Sequence, residues 1–169
     1  IGESASEVRP LWSGAFAQQP SSKVFAYFPQ QRDLLYGGKT VDTQWHLGLD
    51  LASTERTPVL AANTGKVLFA GDNGIYGNMV VLDHGLGLTS LYAHLSSMDV
   101  KDGDAVEKGQ TLGRSGTTGL AGGDHLHFTM LVGGVQVNPV EWWDPHWMED
   151  RVFRKIREAG GTAPAPPAK

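Results

Sequence analysis

Short runs of apolar residues alternate with turn-forming residues through the middle of the chain. Four such runs span residues 58–62, 65–69, 79–82 and 88–92. The segments Asp72-Asn73-Gly74 and Asp83-His84-Gly85 have the composition of hairpin turns and separate several of these runs. The pattern predicts an all-β domain of antiparallel β-sheets with tight connections.

The pattern changes near both ends of the chain. Asp150 to Ala159 predicts a helix, with Val152, Ile156 and Ala159 roughly on one stripe and two glycines directly after it as a stop. The last eight residues are rich in Pro and Ala and contain too little apolar surface to pack, which predicts a disordered tail. The predicted organisation is an irregular or partly helical lead-in (1–22), a main domain (23–148), a C-terminal helix (149–161) and the tail (162–169).

Composition narrows the classes of function. The 169 residues carry a net charge of only -4 and no block of Lys or Arg, which argues against nucleic acid as a partner. There are no cysteines, so only His and carboxylate side chains remain to hold a metal ion. The longest apolar runs are far shorter than the roughly 20 residues of a membrane span. The chain opens with Ile1-Gly2, which indicates a mature or trimmed fragment of a longer protein.

The first candidate cluster is the sequence HLGLD at 46–50. Its alternating leucines favour an extended chain, in which His46, Gly48 and Asp50 share one face. A straight strand would separate His46 and Asp50 by about 13 Å, which is too far for both to bind one ion. We therefore expect a bend or bulge at Gly48 that brings the two side chains together.

The second candidate cluster is HLHF at 125–128. The same alternation places His125 and His127 on one strand face, about 6.6 Å apart along the backbone. Together the two clusters supply a His/Asp/His set without sulfur, which suits zinc with an open fourth position, and leave one of the paired histidines for acid–base chemistry. His94, at the end of another β-type run, supplies a further imidazole. The spacing alone leaves open a structural role for each histidine and a surface ion pair for His46 and Asp50.

Two further histidines and a group of tryptophans favour structural roles. His84 lies within a turn signal, and His146 lies in a segment that contains Pro and several Trp residues. The indoles of Trp142, Trp143 and Trp147 could form a platform for sugar rings, but capping one end of the core is the preferred interpretation.

Three ordered motifs carry a resemblance to a known family: HLGLD at 46–50, YAHLS at 92–96 and HLHF at 125–128. With their flanking sequences they resemble the lysostaphin-type zinc metallopeptidases, the LytM-domain or M23 peptidoglycan endopeptidases, over roughly residues 25–139. The resemblance implies a fold of the duplicated-hybrid-motif type, in which antiparallel β-sheets form an open groove. It also implies a location in the bacterial cell envelope, periplasmic or extracellular.

The resemblance also implies a role for each matching residue. His46, Asp50 and His127 match the ligands of one zinc ion per chain. His94 and His125 match the catalytic pair that orients and deprotonates the water and stabilises the oxyanion. The implied function is zinc-dependent hydrolysis of cross-links or stem peptides of peptidoglycan, by a protein that is expected to be monomeric and to belong to a longer envelope protein.

Two other classes of function remain as alternatives. A LytM-type module that binds peptidoglycan or activates an amidase would keep the fold without turnover. A biotinyl or lipoyl carrier domain is suggested only by VKDGDAVEKGQTLG at 100–113, where Lys101 and Lys108 lack the hairpin-tip setting that the modified lysine of such a domain requires.

Overall fold

Antiparallel β-structure dominates the computed structural model, which describes residues 6–164. Within these residues the strands are β1 (Lys23–Ala26), β2 (Gln30–Tyr36), β3 (Lys39–His46), β4 (Leu49–Ala52), β5 (Pro58–Leu60), β6 (Gly65–Asp72), β7 (Asn78–Asp83), β8 (Leu88–Leu95), β9 (Ser97–Met98), β10 (Ala105–Val106), β11 (Thr111–Arg114), β12 (Leu126–Val132) and β13 (Val135–Val137). The four predicted apolar runs correspond to β5, β6, β7 and β8. The prediction of antiparallel sheets with tight connections is therefore confirmed.

The strands form one large sheet and two small ones. The large sheet has the order β1-β4-β12-β8-β7-β6-β10, with β13 also paired to β12, and a second sheet has the order β5-β11-β9. Strands β2 and β3 pair only with each other within residues 6–164 and form a separate hairpin. The centre of the large sheet, where β4, β12 and β8 are neighbours, carries all three predicted motifs.

The central strands are buried on both faces of the large sheet. One face carries the main core, which includes Tyr92, Phe128 and Met130. The opposite face carries a smaller cluster that includes Leu91 and Leu131. Since side chains alternate along a strand, Leu126 and Phe128 enter the main core while His125 and His127 lie on the other face.

The lead-in and the C-terminal segment close one end of the main core. Residues 6–22 contain no helix or strand, yet Trp12 and Phe16 are buried in this core. Trp12 stacks on Phe153 with ring centroids 5.5 Å apart, and Phe16 meets Trp142 edge to face. The Trp-rich segment therefore caps the core, as preferred from the sequence.

The C-terminal segment is helical in four short pieces within the described residues: α1 (Pro139–Trp143), α2 (Pro145–Trp147), a π-helical stretch (Met148–Phe153) and α3 (Arg154–Glu158). The predicted stripe is wrong in part, because Ala159 is exposed while Met148 and Phe153 are the buried positions. A π-helical turn contains more residues than an α-turn, so side chains five residues apart share a face. This explains why a spacing of three or four did not find them.

The predicted tail lies partly outside the described residues. Within it, Ala163 packs against the main core, and residues 165–169 are beyond what the structure describes. No helix in residues 6–164 has both the length and the apolar character that a bilayer span requires.

Candidate metal centre

A bend between two strands brings His46 and Asp50 together. Strand β3 ends at His46 and β4 begins at Leu49, so the chain changes direction at Leu47-Gly48. The Nε2 atom of His46 lies 3.0 Å from Oδ1 of Asp50. The expected bend at Gly48 is therefore confirmed.

Gly48 is required by the closeness of the neighbouring strand. A Cβ atom at this position would lie 2.6 Å from Cε1 of His127 and 2.5 Å from Oγ1 of Thr129. Any larger residue would have to displace the His127 ring or its hydrogen-bond partner.

His127 completes a group of three ligand atoms. It is the register partner of Asp50 across β12 and β4, and its Nδ1 atom lies 2.9 Å from Oδ1 of Asp50 and 3.0 Å from Nε2 of His46. A tetrahedral ion with ligand bonds of about 2.0–2.1 Å holds neighbouring ligand atoms about 3.3 Å apart. The three observed separations fall close to this value, and all three side chains are buried. The group therefore fits a single small metal ion.

Hydrogen bonds fix which ring nitrogen of each ligand histidine faces this group. Nδ1 of His46 donates to the carbonyl oxygen of Tyr27, which leaves Nε2 with its lone pair. Nε2 of His127 donates to the hydroxyl of Thr129, which in turn donates to the carbonyl oxygen of Leu47 and leaves Nδ1 of His127 with its lone pair. Such outer partners are typical of metal-ligating histidines.

The carboxylate of Asp50 is held in its ionised form. Burial alone would raise its pKa, but the close imidazoles of His125, His127 and His46 and the guanidinium of Arg32 outweigh this effect and hold the pKa well below its usual range. Its Oδ2 atom accepts a hydrogen bond of 2.7 Å from the guanidinium of Arg32. An anion is therefore present at the centre of the three imidazoles at any ordinary pH.

His94 and His125 face the same centre. Nε2 of His125 lies 3.6 Å from Oδ1 of Asp50, and the ring centroids of His94 and His125 are 4.8 Å apart. Each ring donates from Nδ1 to a backbone carbonyl, His94 to Thr118 and His125 to Gly123, so Nε2 is the free nitrogen of both. The structure thus brings all five predicted site residues together.

The two rings differ in their affinity for a proton. Burial lowers the pKa of His94 to about 4, with only partial compensation from the Thr118 carbonyl. Burial acts in the same direction on His125, but the Asp50 carboxylate raises the pKa of His125 above its usual value. His94 is therefore neutral near pH 7, and His125 is the more basic of the pair.

The position of His94 depends on an irregularity of β8. Strict alternation would point His94 to the same face as Tyr92, into the main core. Instead its backbone is left-handed, with φ of 62°, and the pairing of β7 with β8 is irregular at Asn78–Val80. This conformation is rare in residues other than Gly and redirects the side chain to the groove.

These side chains form the floor of an open groove of about 710 Å³. Four exposed apolar side chains line its walls: Phe25, Trp45, Ile75 and Leu120. The ring of Phe25 meets His125 edge to face at 5.5 Å. An open channel with apolar walls and a polar floor suits an extended chain rather than a compact ligand.

His84 and His146 lie outside the groove. His84 is fully buried in the main core, where its two ring nitrogens form hydrogen bonds with the Thr64 carbonyl and the Ser90 hydroxyl. His146 is exposed within α2. The structural role predicted for His84 agrees with these contacts.

Several partners of the site were missed from the sequence. Thr129 follows His127 by two residues on the same strand face, so alternation could have indicated it. Arg32 and Thr118 belong to separate segments without a recognisable pattern, and only the folded chain brings them to the site.

Comparisons with known proteins define the class. The model of peptidase family M23 matches residues 44–139, a segment that contains all five histidine and aspartate positions of the site. The chain therefore belongs to peptidase family M23.

Named relatives agree with this assignment. The chain is 42% identical over 95 residues to the DD-carboxypeptidase/endopeptidase Mpg of Neisseria meningitidis, covering 56% of this chain and 22% of that protein. It is 40% identical over 96 residues to the peptidoglycan DD-endopeptidase ShyA of Vibrio cholerae, covering 57% of this chain and 22% of that protein. The matched region thus spans about a fifth of the length of these relatives.

A solved structure shares the fold. The catalytic domain of the antimicrobial peptidase lysostaphin from Staphylococcus simulans superposes with a TM-score of 0.62 and 28% identity, covering 75% of this chain and 98% of that domain. The expected open groove of antiparallel sheets is confirmed by the structure, and this match supports the lysostaphin-type fold.

Proposed function

We propose that this chain is a zinc-dependent endopeptidase of the bacterial cell envelope, periplasmic or extracellular, that hydrolyses cross-links or stem peptides of peptidoglycan. The observation that carries the proposal is the cluster of three ligand atoms 2.9–3.0 Å apart on a groove floor that also holds two further histidines. The names of the relatives supply the substrate class.

His46, Asp50 and His127 would hold the zinc ion through Nε2, Oδ1 and Nδ1. Their donor set of two neutral imidazoles and one carboxylate matches that of catalytic zinc sites, which keep a fourth position open. When bound, the ion supplies a Lewis acid that polarises the scissile carbonyl and lowers the pKa of a water molecule to near 7.

The remaining two histidines handle the proton. Nε2 of His125 accepts a proton from the attacking water as the new carbon–oxygen bond forms, because Nδ1 of this ring donates to the Gly123 carbonyl and leaves Nε2 free. Nε2 of His94, which stays neutral, accepts a hydrogen bond and orients the water. As the carbon–nitrogen bond breaks, His125 returns the proton to the leaving amine, so that one water molecule is consumed per peptide bond.

Substitutions of the site residues test these roles. His127→Ala removes a ligand and should lower zinc occupancy and hydrolysis of purified sacculi together. His125→Ala and His94→Ala should keep zinc while turnover falls by about 10²-fold to 10⁴-fold. His146→Ala is the control, since His146 is exposed and remote from the groove.

Metal content and the products of digestion are the measurements, by elemental analysis and mass spectrometry. Loss of zinc in His125→Ala with retention in His127→Ala would invert the assignment of ligand and catalyst. Equal hydrolysis by all variants, or none by the zinc-loaded parent, would leave the peptidoglycan-binding or amidase-activating module as the better interpretation.

A further inference from the structure

The hairpin of β2 and β3, residues 30–46, projects from the domain and is called the arm here. Of its residues only His46 is buried, and Arg32 and Leu34 are half-buried, while the others are exposed. No other strand within residues 6–164 pairs with it. Its anchorage to the groove therefore depends on a few contacts at its base.

One of these contacts joins Arg32 to Asp50. Asp50 divides its two oxygens between different partners. Oδ1 faces the histidine nitrogens, at 3.0 Å from His46 and 2.9 Å from His127. Oδ2 lies 2.7 Å from the guanidinium of Arg32. The Asp50 side chain is only 4% exposed, so this charge-assisted bond is largely shielded from water at the carboxylate end.

We propose that Arg32 is a positioning residue that restricts Asp50 to a single metal-ligating oxygen. The inference rests on the proposed function, because it presupposes that the three-ligand group holds a metal ion. Carboxylates bind ions through one oxygen or through both. Ligation through both would require Oδ2 of Asp50 to leave the guanidinium, whose charge is permanent.

The charge of Arg32 acts in the same direction as its hydrogen bond. A guanidinium beside Oδ2 repels a cation from that side of the carboxylate and attracts the oxygen away from the ion. Arg32 thereby preserves the open coordination position that a catalytic site needs, at the cost of weaker attraction for the metal. Removing Arg32 should therefore leave metal binding equal or tighter while impairing turnover.

The expected effect of removing Arg32 on metal affinity is opposite to that of removing a residue that only orients a metal ligand. Loss of an outer hydrogen bond that merely orients a ligand weakens metal affinity or activity by about 10-fold to 100-fold. The direction of the change in affinity thus separates the two roles.

The test uses Arg32→Met in the full chain, loaded with cobalt(II) or zinc(II). Tetrahedral cobalt(II) absorbs visible light more strongly than five-coordinate or six-coordinate cobalt(II), so the spectrum reports the number of ligands. We expect Arg32→Met to absorb visible light more weakly per bound cobalt than the parent. Its zinc affinity, measured by competition with a chelating dye, should be equal or higher. Its kcat on sacculus peptides should be about 10-fold to 100-fold lower, with little change in KM. Arg32→Lys should restore part of the parental spectrum and rate, because Lys keeps the positive charge but replaces the planar guanidinium with a compact ammonium group.

Lys39→Met is the matched control, since Lys39 is an exposed cation at the tip of the same arm, and it should behave like the parent. An unchanged cobalt spectrum in Arg32→Met, or a loss of zinc affinity together with rate, would overturn the proposal. A Lys39→Met variant with the same changes would also overturn it, because net charge rather than contact would then be the cause. If the parent itself takes up no metal or cuts no peptide, the proposed function fails first, and the parental measurements identify that case.

Discussion

Buried His84 should make the stability of the domain depend on pH in a predictable way. Its ring is fully buried, and its Nδ1 atom forms a hydrogen bond of 2.8 Å with the Thr64 carbonyl oxygen. The ring also packs edge to face against Phe16, with ring centroids 4.9 Å apart. Burial lowers its pKa from 6.5 to about 4. Between pH 6.5 and about 4 the unfolded chain therefore binds a proton at this histidine while the folded chain does not.

The sign and magnitude follow from this difference. The contribution of neutral His84 to the free energy of unfolding is fully present above pH 6.5 and is lost progressively as the pH falls to about 4. At about 1.4 kcal/mol for each pH unit, the loss in free energy of unfolding reaches about 3 kcal/mol at pH 4. Other titrating groups add their own dependence, so the useful quantity is the difference between the parent and a variant without this imidazole.

The assay is urea unfolding at pH 7 and pH 4, in chelator, for the parent and for His84→Gln. The parent should lose about 3 kcal/mol more than the variant between the two pH values, although the variant is less stable at pH 7. His146→Gln is the matched control and should follow the parent, because His146 is exposed. Equal losses in the parent and in His84→Gln would refute the assignment of a buried, neutral His84.

Three further predictions concern the site and the two ends of the chain. Gly48→Ala should lower zinc occupancy without removing any ligand, because the added Cβ would lie 2.6 Å from the His127 ring. Elemental analysis measures the occupancy, and retained zinc with the parental rate would contradict the close approach. Trp12→Ala should destabilise the domain by about 3–5 kcal/mol in urea unfolding, since it removes a buried indole that stacks on Phe153. Truncation after Gly161 should leave hydrolysis of sacculi unchanged, and a large loss would mean that the tail positions the substrate.

Local pattern was sufficient to predict much of the site. The alternation in HLHF places His125 and His127 on one face, and the strand geometry of HLGLD requires the bend at Gly48. Both inferences depend only on residues that are neighbours in sequence, because the two-residue period of a strand determines the face on which each side chain lies. The identity of the ligands and catalysts within the five residues came from the resemblance and stays a prediction.

Features that depend on distant parts of the chain could not be predicted. His94 reaches the groove only because its backbone is left-handed, and no residue type at that position signals this conformation. Arg32 lies 18 residues before its partner Asp50, on a hairpin without a buried face. The burial of Met148 and Phe153 follows from a π-helical turn, which sequence spacing of three and four does not describe.

The capped end of the core has a practical consequence for recombinant work. A fragment cut to the family match at 44–139 would lack Trp12, Phe16 and Phe153, which cover the aromatic end of the core. It would also lack β1, leaving the backbone edge of β4 unpaired. Exposed aromatic surface beside an open strand edge favours association between copies. Such a fragment should accumulate in inclusion bodies to a greater extent than one that spans residues 6–164.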